Sequence, residues 1–169
     1  MAGMNRVKLA RHVSYNPNTG TFTRVSSIRR PDSVGRSPVW VSCKRHSYVT
    51  INSRLYLAHR LAWLWVHGRF PRWQIDHING DRHDNRIANL REATNAQNQM
   101  NRRKRDSRTT SRFKGVSWAK RERRWRSCIV KAGRQSSLGY FRDEIAAARA
   151  YNAAARKMFG VFASLNSGV

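Results

Sequence analysis

The sequence predicts an α+β protein made of two small domains, and three observations carry that prediction. Residues 13–57 alternate short apolar-polar runs with turn formers. Residues 75–101 read as strand, loop, strand, helix. Residues 112–166 read as three strands followed by one long Ala-rich helix. A length of 169 residues suits one ordinary domain or two small ones. The expected division is a first domain over 1–101, a basic linker over 102–111 and a second domain over 112–166.

In chain order, Asn16-Pro-Asn-Thr-Gly20 is dense in turn formers, and Thr21-Phe-Thr-Arg-Val25 alternates as a half-buried strand does. Residues 28–38 are rich in Arg, Ser, Pro and Gly and read as a loop. Ser47–Ile51 and Arg54–Leu57 flank Asn52-Ser53, which predicts a hairpin. From Ala58 to Gly68, the residues Ala58, Leu61, Ala62, Leu64 and Trp65 recur at helical spacing, with Gly68 as the stop and Pro71 beyond it. His59 on this helix reads first as a scaffold contact. Trp63 and Trp65 read as core.

Ile75–Ile78 predicts a short strand, Asn79-Gly80 a turn, and Asn89–Ala93 a second extended run. Thr94-Asn-Ala-Gln97 fits a capping box, so a helix begins there and carries Asn98 in or just beyond its first turn. Residues 100–111 are polar and basic, without an apolar face after Met100; Arg102 and Arg103 are candidates to track a phosphate backbone, and a solvated connector without defined contacts is an equal alternative. Strands are then expected at Gly115–Trp118, Arg124–Val130 and Gln135–Phe141. Asp143 caps a helix through Lys157 that presents Ile145, Ala148, Tyr151, Ala155 and Met158 on one face and ends at Gly160.

Thirty-four Lys and Arg stand against nine Asp and Glu, a net charge of +25 in a chain that is 40% hydrophobic. Such a surface repels itself unless a polyanion shares it, so nucleic acid is the leading partner. The charge is uneven. Residues 1–70 carry +11, residues 71–106 only +3 and residues 107–169 again +11, because five of the nine acids fall in the middle segment. Cys43 and Cys128 are far apart in sequence, which argues against a disulfide framework or a Cys-ligated zinc site. The N-terminus lacks a signal-peptide core, and Leu61–Val66 is too short to cross a bilayer. A soluble, intracellular protein without a membrane partner or an evident obligatory protein partner is expected.

The run Ile75–Asn98 gathers Asp76, His77, Asn89 and Asn98 inside that less basic segment. Phosphodiester hydrolysis needs a base to activate water and a cation to absorb charge on phosphate. Neighbours on a strand point to opposite sides, which suits Asp76 to a metal and His77 to water. A carboxylate from Asp76 and an amide oxygen from Asn98, completed by waters, make a sparse oxygen site suited to Mg²⁺, or else Mn²⁺. The Asn89 amide is expected to tie the loop so that His77 keeps its orientation.

His77, Asn89 and Asn98, at intervals of 12 and 9, resemble the His-Asn-His endonuclease motif in its variant with Asn at the third position. The wider run Asp-His-Ile-Asn-Gly-Asp…Asp-Asn-Arg-Ile-Ala-Asn-Leu-Arg-Glu-Ala-Thr resembles phage-type HNH homing endonucleases, as do Tyr15–Phe22 and Leu57–Trp63. The resemblance covers about 13–101. It implies a ββα-metal core, with His77 as general base, Asn89 as the motif's middle catalytic residue and Asp76 and Asn98 on one divalent ion. It also implies double-stranded DNA as partner and, for a phage-encoded protein, the host cytoplasm as location.

Phe113-Lys-Gly-Val, Trp125-Arg, Leu138-Gly-Tyr-Phe, Glu144–Ala154 and Leu165-Asn166 resemble the plant ethylene-response-factor (Apetala) DNA-binding domain. That resemblance implies a three-stranded sheet laid in the major groove and offers Arg112, Lys114, Arg124, Trp125, Arg126 and Gln135 as DNA contacts. For Trp125, packing against the helix is an equal alternative. Ser117-Trp-Ala-Lys120 stands where the plant domains carry more Arg. The leading reading is a metal-dependent homing endonuclease whose C-terminal domain aids site recognition. A non-catalytic, sequence-specific DNA-binding regulator is the alternative, and a structural RNA-binding protein is the third.

Overall fold

A computed structural model describes residues 3–27, 30–41, 46–102 and 110–169. Two compact units divide the chain, Met1–Thr94 and Asn95–Val169. Arg103, most of the expected linker and Cys43 lie outside the described residues.

The first unit opens with a short helix, α1 (Arg6–Ala10), that the sequence reading did not anticipate. Asn5 caps it by accepting from the Lys8 amide at 2.9 Å, and its Leu9 is fully buried. Strands β1 (Val13–Asn16) and β2 (Thr21–Arg24) pair antiparallel across the expected turn. A second sheet holds β3 (Val39–Val41), β4 (Ser47–Ile51) and β5 (Arg54–Leu57) in the order β3-β4-β5. Asn52 and Ser53 both take positive φ, 48° and 63°, as a two-residue hairpin requires. Burial alternates along β4, with Ser47, Val49 and Ile51 inside.

Helix α2 (Ala58–His67) follows β5 directly and ends where Gly68, at φ 73°, returns its N–H to the Leu64 carbonyl. Its Ala58, Leu61, Ala62 and Leu64 join Leu9, Val13, Phe22, Val49 and Ile51 in one core, with Trp63 and Trp65 packed at its edge. Ile75 and Leu90 reach the same core from β6 (Gln74–His77) and β7 (Leu90–Ala93), an antiparallel pair. The strands that carry the motif are thus anchored by one apolar side chain each.

The second unit begins with α3 (Asn95–Met100), starting one residue after Thr94. The sequence reading assigned this helix to the first domain, whereas the compact units divide before it. Met100 packs against the cluster of Ile129, Tyr151, Ala155 and Phe159. Lys114 Nζ donates to the Met100 and Arg102 carbonyls at 2.9 and 2.6 Å.

Strands β8 (Val116–Ala119), β9 (Arg124–Lys131) and β10 (Arg134–Phe141) form an antiparallel sheet with β9 in the middle. Helix α4 (Glu144–Phe159) lies against it. Asp143 caps α4 by accepting from the Ala146 amide at 2.8 Å, and Gly160 ends it. Its buried face is Ala147, Ala148, Tyr151, Asn152, Ala155 and Phe159. Ile145, expected on that face, is 36% exposed. Small alanines let the helix approach closely, and Gly115 does the same from the sheet side. A Cβ at Gly115 would fall 2.2 Å from the Tyr151 ring.

Candidate active site

Asp76 and His77 sit side by side on β6, and both are buried. The antiparallel register sets Asp76 opposite Arg91 and His77 opposite Leu90. Opposite charges at one register position form an ion pair. Arg91 Nε and Nη2 both donate to Asp76 Oδ2, at 2.8 and 2.7 Å. The side chains of this pair are 15% and 9% exposed, so the guanidinium both compensates the carboxylate and fixes its direction.

His77 Nε2 lies 3.4 Å from Asn85 Oδ1, a long contact inside a buried pocket. The amide's orientation follows from its other end, where Asn85 Nδ2 donates to the His83 carbonyl at 3.1 Å. An amide oxygen only accepts, so in the neutral ring Nε2 carries the proton and Nδ1 the lone pair. Burial lowers the His77 pKa below its ordinary value, opposed by the Asn85 contact and the nearby Asp76 and Asp81 charges. The Asn85 carbonyl in turn accepts the Tyr15 hydroxyl at 2.7 Å. Burial pushes the pKa of that phenol up to about 12, which keeps it a donor at any working pH.

Asn85 is also held by the β1–β2 turn. Gly20, at φ 74°, lies so close to the loop that a Cβ there would stand 2.5 Å from the Arg86 nitrogen and 2.7 Å from the Asn85 carbonyl carbon. His59 on α2 places its ring edge-to-face with His77, centroids 5.3 Å apart. Burial, followed by the neighbouring His77 and His46, drives the His59 pKa down to about 3, so this ring stays neutral.

Asn89 ties the motif loop, as its sequence position predicts. Its Oδ1 accepts from the Asn79 amide at 2.9 Å and its Nδ2 donates to the Asp84 carbonyl at 2.8 Å. The neighbouring acids serve the same loop. Asp81 accepts from the His83 amide, and Asp84 accepts from Asn79 and from Arg86, which holds its pKa at about 2. Glu92 binds Arg69 and the Arg72 amide. The local acidity of the motif therefore serves turns and ion pairs, and Asp76 is the strand neighbour of His77. His83 pairs its Nδ1 with the Ser47 hydroxyl at 3.1 Å.

The donor chemistry fits a divalent ion. Asp76 offers a buried carboxylate, and Mg²⁺ keeps most of its waters and takes one or two carboxylates rather than a protein cage. Among the described residues no three His, Cys, Asp or Glu side chains gather into such a cage. Asn98, the second expected ligand, lies half-buried in α3 of the second unit.

The family model described as HNH endonuclease matches residues 56–100, the stretch from β5 through α3. The chain is 33% identical over 81 residues to Protein 3.8 of Escherichia phage T7, spanning 47% of this chain and 66% of that protein. It is 31% identical over 149 residues to the HNH endonuclease L560 of Acanthamoeba polyphaga mimivirus, spanning 87% of this chain and 75% of that one. The chain belongs to the HNH endonuclease family.

This HNH endonuclease also shares 45% identity over 57 residues with APETALA2-like protein 2 of Oryza sativa, spanning 34% of its own length and 13% of the rice protein. No solved structure matches it. In its second unit, alternation along β9 puts Arg124 and Arg126 on one face, and the register adds Gln135, paired with Val130. Trp125 points the other way and packs with Phe113, Val116, Ala147 and Ala148, which decides for the helix-packing alternative. The outward face also carries Tyr140, opposite Arg126.

Lys114, another candidate DNA contact, is engaged within the unit. It is half-buried, its ammonium holds two carbonyls, and burial lowers its pKa to about 8. Arg112 is exposed and lies over the Phe113 ring at 4.8 Å, and Arg102 donates to Gln99 Oε1 at 2.7 Å.

The sequence reading of this endonuclease missed Asn85, Arg91, Gly20 and the contact between His59 and His77. Arg91 had a signal, since the expected strands Ile75–Ile78 and Asn89–Ala93, paired antiparallel end to end, place it about opposite Asp76. Asn85 had none, because the run from Ile75 to Asn98 holds five asparagines of the same type.

Proposed function

We propose that this HNH endonuclease hydrolyses phosphodiester bonds in double-stranded DNA with the help of one divalent metal ion, Mg²⁺ first and Mn²⁺ second. The observation that carries the reading is the Asn85 contact at His77 Nε2, which leaves Nδ1 as the basic nitrogen of a buried, neutral imidazole. In this mechanism His77 Nδ1 takes the proton of the attacking water, while Asn85 and Asn89 hold ring and loop in place. Asp76 would hold the metal, which when bound would supply charge stabilisation on the phosphate and the departing oxygen. Arg91 keeps the Asp76 carboxylate aimed through its two hydrogen bonds to Oδ2.

The net charge of +25 supports a polyanionic substrate. The sheet face bearing Arg124, Arg126 and Gln135 supports a recognition role for residues 112–166. There Arg reads guanine edges, and Arg102, Arg103 and Arg112 meet phosphate. The phage and giant-virus relatives support a viral setting, for which we read the enzyme as a homing endonuclease acting in the host cytoplasm. No helix among the described residues is long and apolar enough to cross a membrane.

The test is supercoiled plasmid incubated with the full chain and Mg²⁺, with and without EDTA, beside His77→Ala. The expected result is metal-dependent cutting that falls by about 10²–10⁴-fold in the variant while DNA binding persists. Binding without cutting under every metal condition would favour the DNA-binding regulator. Near-native cutting by His77→Ala would remove that residue from the mechanism.

A further inference from the structure

His59 is 6% exposed, beside Ala58, Leu61 and Ala62 on the buried side of α2. Leu or Met would fill such a position without a polar atom to desolvate. His59 Nδ1 instead is buried with no hydrogen-bond partner, a condition folded proteins rarely retain without a use for the group. Its ring stands against His77 at 84° with centroids 5.3 Å apart, and the His46 ring flanks it at 5.7 Å. The Asn85 contact holds one atom of the His77 imidazole. A flat ring standing edge-on bears on the plane of the imidazole itself. Among the side chains, His alone supplies a flat five-membered ring with nothing fused to it, and the unpaired nitrogen comes with the shape.

We infer that His59 is a positioning residue for His77, its flat imidazole fixing the plane in which His77 presents Nδ1. The role rests on the reading of His77 as the base. It differs from a scaffold role in what an aliphatic replacement does. His59→Leu keeps the volume, removes the orphaned nitrogen and should leave the melting temperature unchanged or raised. It should nevertheless slow cleavage by about 10- to 100-fold at unchanged DNA affinity, the loss that follows from displacing a catalytic group by about 1 Å. His59→Phe restores a flat ring, though a wider one, and should recover part of that rate.

The experiment measures Tm, DNA affinity and single-turnover plasmid cleavage with Mg²⁺ for the full-length wild type and both variants. It also records the NMR signals of the His77 ring. Broadened or multiplied His77 ring signals in His59→Leu, with the rate order wild type, Phe, Leu, support the positioning role. Wild-type cutting speed in His59→Leu with unchanged His77 signals overturns it, as does a lowered Tm in both variants with His77 undisturbed. A wild-type protein that cuts nothing would remove the nuclease reading, and the His77 signals would still decide the positioning by themselves.

Discussion

His77 and Asn85 meet at 3.4 Å, and the same asparagine hands its backbone carbonyl to the Tyr15 hydroxyl at 2.7 Å. A buried imidazole is thus oriented by a residue eight positions along the chain, itself held by a strand 70 positions away. An unperturbed imidazole would lose its basic form below pH of about 6.5. Burial lowers the folded pKa of His77, so the neutral, active form should persist below that pH, and cutting should fade only at lower values. Asn85→Ala should slow cleavage by about 10- to 100-fold, the range seen when a partner that orients a catalytic group is lost. Asn85→Asp puts a carboxylate beside Nε2, raises the His77 pKa and should move the acid limb to higher pH. A pH–rate profile for wild type and Asp variant checks the sign, and limbs that coincide would refute the contact's influence.

Arg91 and Asp76 should fail differently when each is removed. Arg91→Ala strands a buried carboxylate and should destabilise the fold by about 3–5 kcal/mol. Asp76→Ala should instead mimic withdrawal of Mg²⁺, with cutting lost at every concentration. Arg91→Lys keeps the charge but loses the two-pronged grip, so it should cut only at raised Mg²⁺. Thermal melts together with a Mg²⁺ titration of cleavage separate these outcomes. Full activity in excess EDTA would end the metal assignment.

Gly20→Ala should damage a site to which it contributes no side chain. The new methyl group would meet the Asn85–Arg86 backbone, and positive φ adds strain, together about 1–3 kcal/mol. Gly35→Ala is the control, since Gly35 has φ 82° but open space around it. Both variants should lose stability through φ, while only Gly20→Ala should also lose cleavage rate beyond what its melt explains.

Residues 95–169 should form a more stable fragment than 112–169, because Met100 and the two carbonyls held by Lys114 belong to its packing. Either fragment that folds should bind duplex DNA with strong salt dependence. Arg124→Ala and Arg126→Ala should each weaken binding to a preferred site by about 1–3 kcal/mol if they reach base edges. If they meet phosphate instead, affinity should drop on all sequences and the salt slope should fall by about one per residue. Titrations on specific and random duplexes at several salt concentrations distinguish these outcomes. Equal melting of the two fragments would place α3 outside the unit.

What was legible in the sequence is what local chemistry decides. The hairpin at Asn52-Ser53, helix α2 with its Gly68 stop, the β6 and β7 strands and the Asp143-to-Gly160 helix follow from turn formers, caps and periodicity. Helix α1 escaped notice because five residues give too short a period, and its evidence is one capping asparagine and one buried leucine. The loop role of Asn89 was legible from its place in the motif. The oxygen that meets His77 was not, because that choice depends on where the β1–β2 turn presses on the motif loop. Lys114 misled for a related reason. Its charge says phosphate, and only the packing of α3 shows that two backbone carbonyls claim it.

Near its end the second unit returns to the start of its sheet. Asn166 Oδ1 accepts from the Lys114 amide at 2.7 Å, its Nδ2 donates to the Lys114 carbonyl at 3.1 Å, and its backbone is locked to Asn152 on α4. Entry and exit of the sheet-and-helix fold therefore lie side by side, latched by a single amide. A fold whose ends touch leaves its host chain almost where it entered, so it can be spliced onto unrelated partners without prying them apart. Such geometry suits the sheet-and-helix fold to transfer between chains, and the asparagine near its end is the clasp that would travel with it.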